Sequence, residues 1–366
     1  MKINDIIMYI MMVFLVVGAV DKLFGNKFGY GEQFEEGFMA MGALALAMVG
    51  AISLAPVLAN VLKPVVVPIY KALGADPSMF ATTLLACDMG GYQLANQLAE
   101  VKEIGPFAGL ILGSMMGPTI VFTIPVALGI IKKEDHQYLA KGVLAGIITV
   151  PIGTFVGGLL AGLPAIVVLK NLTPIILVAV LIAIGLKLIP EKMIKGFTYF
   201  GKLITIVITI GLVAGILEKT LGLTIIPGLA PVDEGLKVVG DIVVVLAGAY
   251  PLVHFITKVF KKPLMKIGSI LHMNDVAAAG MIATLANNIP MFGMMKDMDE
   301  RGKIINVAFA VSAAFVFGDH LGFAAGVNPN LISAMIVGKL VGGITAVIVA
   351  VFMTKNIKES KEVKNA

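Results

Sequence analysis

Asp88, Asn287, Asn288, Asp319 and His320 stand inside long apolar runs of this sequence, and their residue types define the chemistry such places could hold. A carboxylate near the centre of a bilayer costs about 2.5–3.5 kcal/mol on insertion scales, so it needs a partner, a water-filled cavity or a task. Asp88 lies in CDMGGYQ, just past a stretch, 78–86, that reads as a half-helix. The C-terminal end of a helix carries partial negative charge, so a carboxylate beside open carbonyls makes a cation site. A protonated Asp88 bonded to a neighbouring helix would satisfy the same pattern structurally. Asn287 and Asn288 occupy the break NNIPMFG, where adjacent amides offer donors and acceptors without net charge, as a hydroxyl or a coupling ion requires. Pro290 frees a carbonyl one turn earlier. The same amides could instead serve only the interrupted backbone. Asp319 and His320 are adjacent within another apolar run. Asp319 reads as a second cation ligand, a proton carrier or the static partner of His320, since an imidazole can change charge near neutral pH. Gln93 and Asn96 follow the Gly90-Gly91 break at a spacing that shares a helical face, which adds Gln93 to the candidate lining. The expected substrate-binding set is therefore Asp88, Gln93, Asn287, Asn288 and Asp319, with Asp319 and His320 available for coupling.

These residues need elements to hold them in lipid. Of 366 residues 58% are hydrophobic and 14% charged, and the mean hydropathy is +0.97. That composition makes the bilayer the solvent for most of the chain and predicts an all-α polytopic membrane protein. Apolar runs of spanning length fall near 4–24, 37–62, 105–131, 138–168, 171–189, 196–218, 237–260, 303–326 and 330–354, about nine spans. Two further stretches, 77–100 and 275–296, are broken by CDMGGYQ and NNIPMFG, and read as re-entrant hairpins or broken helices facing protein or water. Asp76-Pro77 and Asn274-Asp275 have the character of helix starts that open these segments. The first run, 6–24, lacks a small-residue cleavage site and reads as a span rather than a leader.

Charge sorts by side. Twenty of the 28 Lys and Arg fall in loops after odd-numbered spans, among them Lys132, Lys133, Lys261, Lys262 and Arg301. Seven fall opposite: Lys2, Lys63, Lys71, Lys102, Lys170, Lys219 and Lys237. That bias puts the C-terminus in the cytoplasm and the N-terminus outside. MFATTLLACDMGG (79–91) can be laid over MIATLANNIPMFG (281–293), and the flanking spans repeat at a similar offset. The expected organisation is one transmembrane domain, 1–366, with repeats at about 37–168 and 237–354 of opposite parity. Such inverted repeats hold substrate at the midplane, where broken helices meet, and work by alternating access.

Other chemistries lack their residues. The net charge of +5 comes from Lys in short loops, so no nucleic-acid partner is expected. Cys87 is the one cysteine, which rules out an intrachain disulfide and a cysteine-based zinc cluster. No HExxH, glycine-rich nucleotide loop or Ser-His-Asp arrangement is present, so neither enzyme, cofactor nor metal is expected. An aspartyl protease using Asp88 and Asp319 as a proton-sharing pair is the rival from another class, and a cation or proton channel, or a carrier of another amine, is a second. The glycine patterns at 153–162 and 338–343 read as helix-packing surfaces.

CDMGGYQLA, NNIPMF and GDHLGF, in that order, resemble the bacterial ethanolamine permease family of the ethanolamine-utilisation system, and the likeness runs along essentially the whole chain. The resemblance implies import of ethanolamine across the bacterial cytoplasmic membrane. Ethanolamine is a primary ammonium with a hydroxyl. The residues accommodate it: Asp88 with the half-helix carbonyls for the ammonium, Asn287 or Asn288 for the hydroxyl, and Asp319 for a second charge or a proton. Apolar outer helices also suggest a homo-oligomer, most simply a dimer, in contact with membrane lipid.

Overall fold

The computed structural model describes residues 3–355. Lys2, Lys358, Lys361 and Lys364, which enter the charge count, and the C-terminal tail lie outside the described residues.

Apolar sequence of spanning length becomes helix because no other open structure satisfies the backbone in lipid. In chain order the elements are α1 (Ile3–Leu23), α2 (Tyr30–Ala72), α3 (Ser78–Leu84), α4 (Tyr92–Leu98), α5 (Ile104–Ile130) and α6 (Lys133–Leu160). They continue with α7 (Ala165–Leu188), α8 (Pro190–Leu221), α9 (Val232–Ile270), α10 (Asp275–Ala286) and α11 (Asn288–Met294), and end with α12 (Glu300–Ala313), α13 (Asp319–Val327) and α14 (Ile332–Met353). Among the described residues, eight helical stretches are long and apolar enough to cross a membrane. The expected span 303–326 is not one of them. Its helix stops at Ala313 and resumes at Asp319, so it is two half-helices around 314–318. α5 spans its full length but is itself irregular, with a tight turn over Leu112–Ser114 flanked by widened turns.

Both interrupted segments are hairpins, not crossing helices. Asp76 caps α3 by accepting from Ser78 N at 2.9 Å, and its other oxygen accepts from the backbone N–H groups of Glu100 and Val101 at 3.1 and 2.9 Å. One carboxylate thus ties the start of the segment to its end. Asn274 does the same in the second segment. Its side-chain oxygen caps α10 by accepting from Ala277 N at 3.0 Å, its backbone N–H donates to Asp299 Oδ1 at 2.8 Å, and its side-chain amide donates to the Asp297 carbonyl at 2.9 Å. The helix-start reading of both pairs matches this geometry, with the closing role added.

Glycine lets the long helices approach closely. A Cβ on Gly37 of α2 would sit 2.6 Å from Ala247 Cα of α9, and one on Gly235 would sit 2.9 Å from Val49 Cα, so α2 and α9 run antiparallel in backbone contact. Gly153 and Gly157 meet Gly338 of α14 in the same way, which makes these glycine patterns packing surfaces. Pro56, Pro64 and Pro68 lie within α2, a helix of 43 residues. At 1.5 Å per residue it is roughly 65 Å long, well beyond a bilayer core. α7 and α8 turn rows of exposed aliphatic side chains outward, such as Leu177, Val180, Leu181 and Ile184, or Leu203, Ile206 and Ile210, as lipid-facing helices do. At one end, Lys303 of α12 pairs with Asp135 at 2.6 Å in a largely buried ion pair and also sits over the Tyr138 ring.

Candidate functional site

The sequence CDMGG turns the first hairpin because Gly90 adopts φ +85°, a conformation costly for side-chain-bearing residues, and packs where a Cβ would lie 2.6 Å from Ala51 Cβ. Backbone N–H groups of Met89 and Gly91 both bond the Ala86 carbonyl, at 3.1 and 3.0 Å, which fixes the direction of Cys87 and Asp88. The hairpin tip rests on α5 at its irregular turn: a Cβ on Gly117 would fall 1.9 Å from the Leu85 carbonyl oxygen. The second hairpin rests on the break between α12 and α13 by the same device, since a Cβ on Gly318 would fall 2.1 Å from the Ala286 oxygen. Here the free backbone is satisfied across the break, with Phe315 N donating to Thr284 O at 3.1 Å and Phe317 N to Leu285 O at 3.0 Å. Phe315 holds φ +63°, a strained position for a bulky residue and one characteristic of functional segments.

These two seats bring one cluster together. The ligand atoms of Cys87, Asp88 and His320 lie within 4.8 Å of one another. Cys87 and His320 are buried, whereas Asp88 and Asp319 are half-buried. Asp319 accepts a hydrogen bond from the Tyr250 hydroxyl of α9 and lies within electrostatic reach of Asp88. Lys339 of α14, 1% exposed, donates to the Ser114 carbonyl freed at the turn of α5 and has its Nζ 3.0 Å from His320 Nδ1. An acid pair, an imidazole, a phenol, a thiol and an amine thus converge where α5, α9, α13, α14 and the first hairpin meet. Cys87, Asp88 and His320 have the spacing of metal donors. Lys339, a primary amine, stands 3.0 Å from His320 in the same cluster.

The predicted residues divide. Asp88, Asp319 and His320 fall in the cluster. Asp319 is bonded to Tyr250 and His320 to Lys339, rather than to each other. Asn288 is fully buried on the other hairpin, donating to Thr123 Oγ1 at 3.0 Å, and its own oxygen lacks a partner. Next to Thr123 in sequence, Phe122 meets Phe315 edge-on at 5.8 Å, and Phe315 lies tilted against His320 at 5.2 Å. Asn287 caps α11 by accepting from Ile289 N at 2.9 Å. Gln93 has a buried, unpartnered carbonyl oxygen, while Asn96 on the same face is exposed and donates to the Tyr92 carbonyl. Tyr250, Ser114 and Lys339 were absent from the sequence-based set. Lys339 had a visible signal: of the 28 basic residues it alone falls on neither side in the charge count. Tyr250 and Ser114 had none, because only the fold aims them.

Eight helical stretches of spanning length, two hairpins and a cluster of ionisable groups inside the bundle mark a multi-pass membrane protein. The chain belongs to the family described as "Ethanolamine utilisation protein, EutH", whose profile matches residues 3–353. It is 68% identical to the "Probable ethanolamine permease EutH" of Listeria monocytogenes serotype 1/2a (strain 10403S), over 100% of this chain and 98% of that one. It is 56% identical to the protein of the same name from Escherichia coli (strain K12), over 96% of each chain. It is also 52% identical to the "Uncharacterized protein YxeR" of Bacillus subtilis (strain 168), over 99% of each. No solved structure matches.

Proposed function

We propose that this protein imports ethanolamine across the bacterial cytoplasmic membrane by alternating access, with the ammonium held among Asp88, Asp319 and the carbonyls of the first hairpin. The observation that carries this reading is the half-buried acid pair at the junction of the hairpin tip with two interrupted spans. A small organic cation needs such a cradle, and lipid cannot provide one. The names of the relatives supply the substrate. The hydroxyl is taken by a neutral group with unused acceptor capacity, for which Gln93 and Asn288 each have a buried free oxygen.

Inverted repeats are part of this proposal. The contacts Leu85 with Gly117 and Ala286 with Gly318 are both displaced by 201 positions, 85 to 286 and 117 to 318. Equal displacement supports one structural unit used twice. The two hairpins close at loops that charge assigns to opposite sides, Lys71 and Lys102 for the first, Lys296 and Arg301 for the second. The N-terminus then lies outside, and the chain after α14 in the cytoplasm.

Purified protein in proteoliposomes tests this directly. Wild-type protein takes up labelled ethanolamine saturably, and Asp88→Asn and Asp319→Asn lose uptake while inserting normally. Undiminished uptake by both variants overturns the assignment of the site.

A further inference from the structure

We propose that Lys339 is the site's resident ammonium group, and that binding of the substrate's ammonium expels the proton from Lys339, so that each ethanolammonium carried inward is exchanged for one proton. This rests on the ethanolamine reading above.

Lys339 is the same functional group as the substrate's, a primary amine on a flexible stem. It is buried in the middle of α14 with its Nζ on the Ser114 carbonyl and 3.0 Å from His320 Nδ1. His320 is in turn within 4.8 Å of Cys87 and Asp88 through their ligand atoms. Lys339 is therefore one side chain removed from Asp88, and it lies within electrostatic reach of both Cys87 and Asp88. Two ammonium charges about 4 Å apart at an effective dielectric near 20 repel by roughly a thousand-fold in affinity. One of them must leave, and an amine can lose a proton where a guanidinium cannot.

The surroundings permit both forms. A neutral amine keeps two N–H groups, enough to donate to Ser114 O and His320 Nδ1, and gains a lone pair that can accept from the incoming ammonium or hydroxyl. The ionisable groups facing Lys339 are Cys87 and Asp88 from the first hairpin and His320 from α13, with Asp319 and Tyr250 behind them. α6 and α12 meet α14 through Gly153, Gly157, Phe309 and Ser312, which neither bind nor release protons. The balance is simple. Lys339 –NH3⁺ becomes –NH2, its proton passes to water on the open side, and the reverse step follows substrate release on the other side. Net charge moved is zero.

Ethanolamine binding to the detergent-purified full chain in weak buffer is the test, with Lys339→Gln and Lys339→Arg beside it. Wild type releases close to one proton per ethanolamine bound. Lys339→Gln binds with no proton release, and Lys339→Arg binds roughly a thousand-fold more weakly than Lys339→Gln. Wild-type proteoliposomes complement the variants: uptake speeds up when the lumen is made acidic and ignores a potassium–valinomycin potential. Binding without proton release, Lys339→Arg affinity within tenfold of wild type, or potential-driven uptake each overturns the exchange while leaving the ethanolamine reading intact. Absence of ethanolamine binding by wild type overturns that reading and, with it, the exchange.

Discussion

The two hairpins are built to one plan and filled with different chemistry. Each closes on itself through a capping residue, Asp76 or Asn274, and each seats its tip against a glycine in an interrupted span, Gly117 or Gly318. The first tip carries a thiol and a carboxylate aimed at His320, and turns on a left-handed glycine. The second carries amides, one spent on capping α11 and one on Thr123. The first tip thus brings ionisable groups to the cluster, and the second brings neutral amides, beside the break that holds Phe315 at φ +63°.

The division can be broken by substitution at equivalent depth. Asp88→Asn removes the charge opposite the solute. Losing one partner of a buried charge pair costs about 3–5 kcal/mol, so ethanolamine uptake falls a hundred-fold or more, whereas Asn288→Ala falls far less. Equal losses in radiolabel uptake would dissolve the distinction between the tips. Gly117→Ala and Gly318→Ala test what the hairpins share. Either Cβ would collide with a backbone carbonyl that has no room to retreat, and overpacking of this kind costs about 1–3 kcal/mol or more. Both variants should lower the melting temperature in detergent by similar amounts, and a change in only one would break the equivalence of the two seats.

Smaller effects sharpen the same contrast. Tyr250→Phe strips Asp319 of its donor. A hydrogen bond to a charged group is worth about 1.5–3 kcal/mol, so the melting temperature in detergent should fall and half-saturation for ethanolamine should shift about tenfold. Asn288→Ala abandons a buried bond to Thr123 worth about 1 kcal/mol net, which appears as lowered stability and a modest uptake defect. Asn287→Ala loses only a helix cap, about 1 kcal/mol, and should retain near-wild-type uptake. A severe uptake defect there would move Asn287 from scaffold to binding residue.

Much of this was legible in the sequence, for physical reasons that particular residues illustrate. Spanning helices announce themselves because lipid tolerates so few polar residues, and the hairpins did so through Gly90-Gly91 and Pro290 inside apolar runs. Asp88, Asp319 and His320 were visible because ionisable groups are expensive there. The break at 314–318 was not, since AFVFG is as apolar as the span around it and no proline marks it. Its cause is tertiary: the backbone of Thr284 and Leu285 takes the bonds that the helix gives up. Tyr250 and Ser114 were silent because an aromatic or hydroxyl side chain in a span is ordinary until the fold aims it. Asn287 and Asn288 looked like one amide site, and the chain direction at the cap sends them apart.

Cys87 offers the most direct measurement, because the chain's one thiol lies beside Asp88 and His320. In proteoliposomes, the rate at which a small cationic thiol reagent, an aminoethyl methanethiosulfonate, labels Cys87 reports occupancy of the cluster. Saturating ethanolamine is expected to slow labelling at least tenfold in wild type and not in Asp88→Asn, and labelled protein is expected to lose transport. Labelling that proceeds at the same rate with and without ethanolamine, in protein that still takes it up, would place the substrate elsewhere and contradict the site.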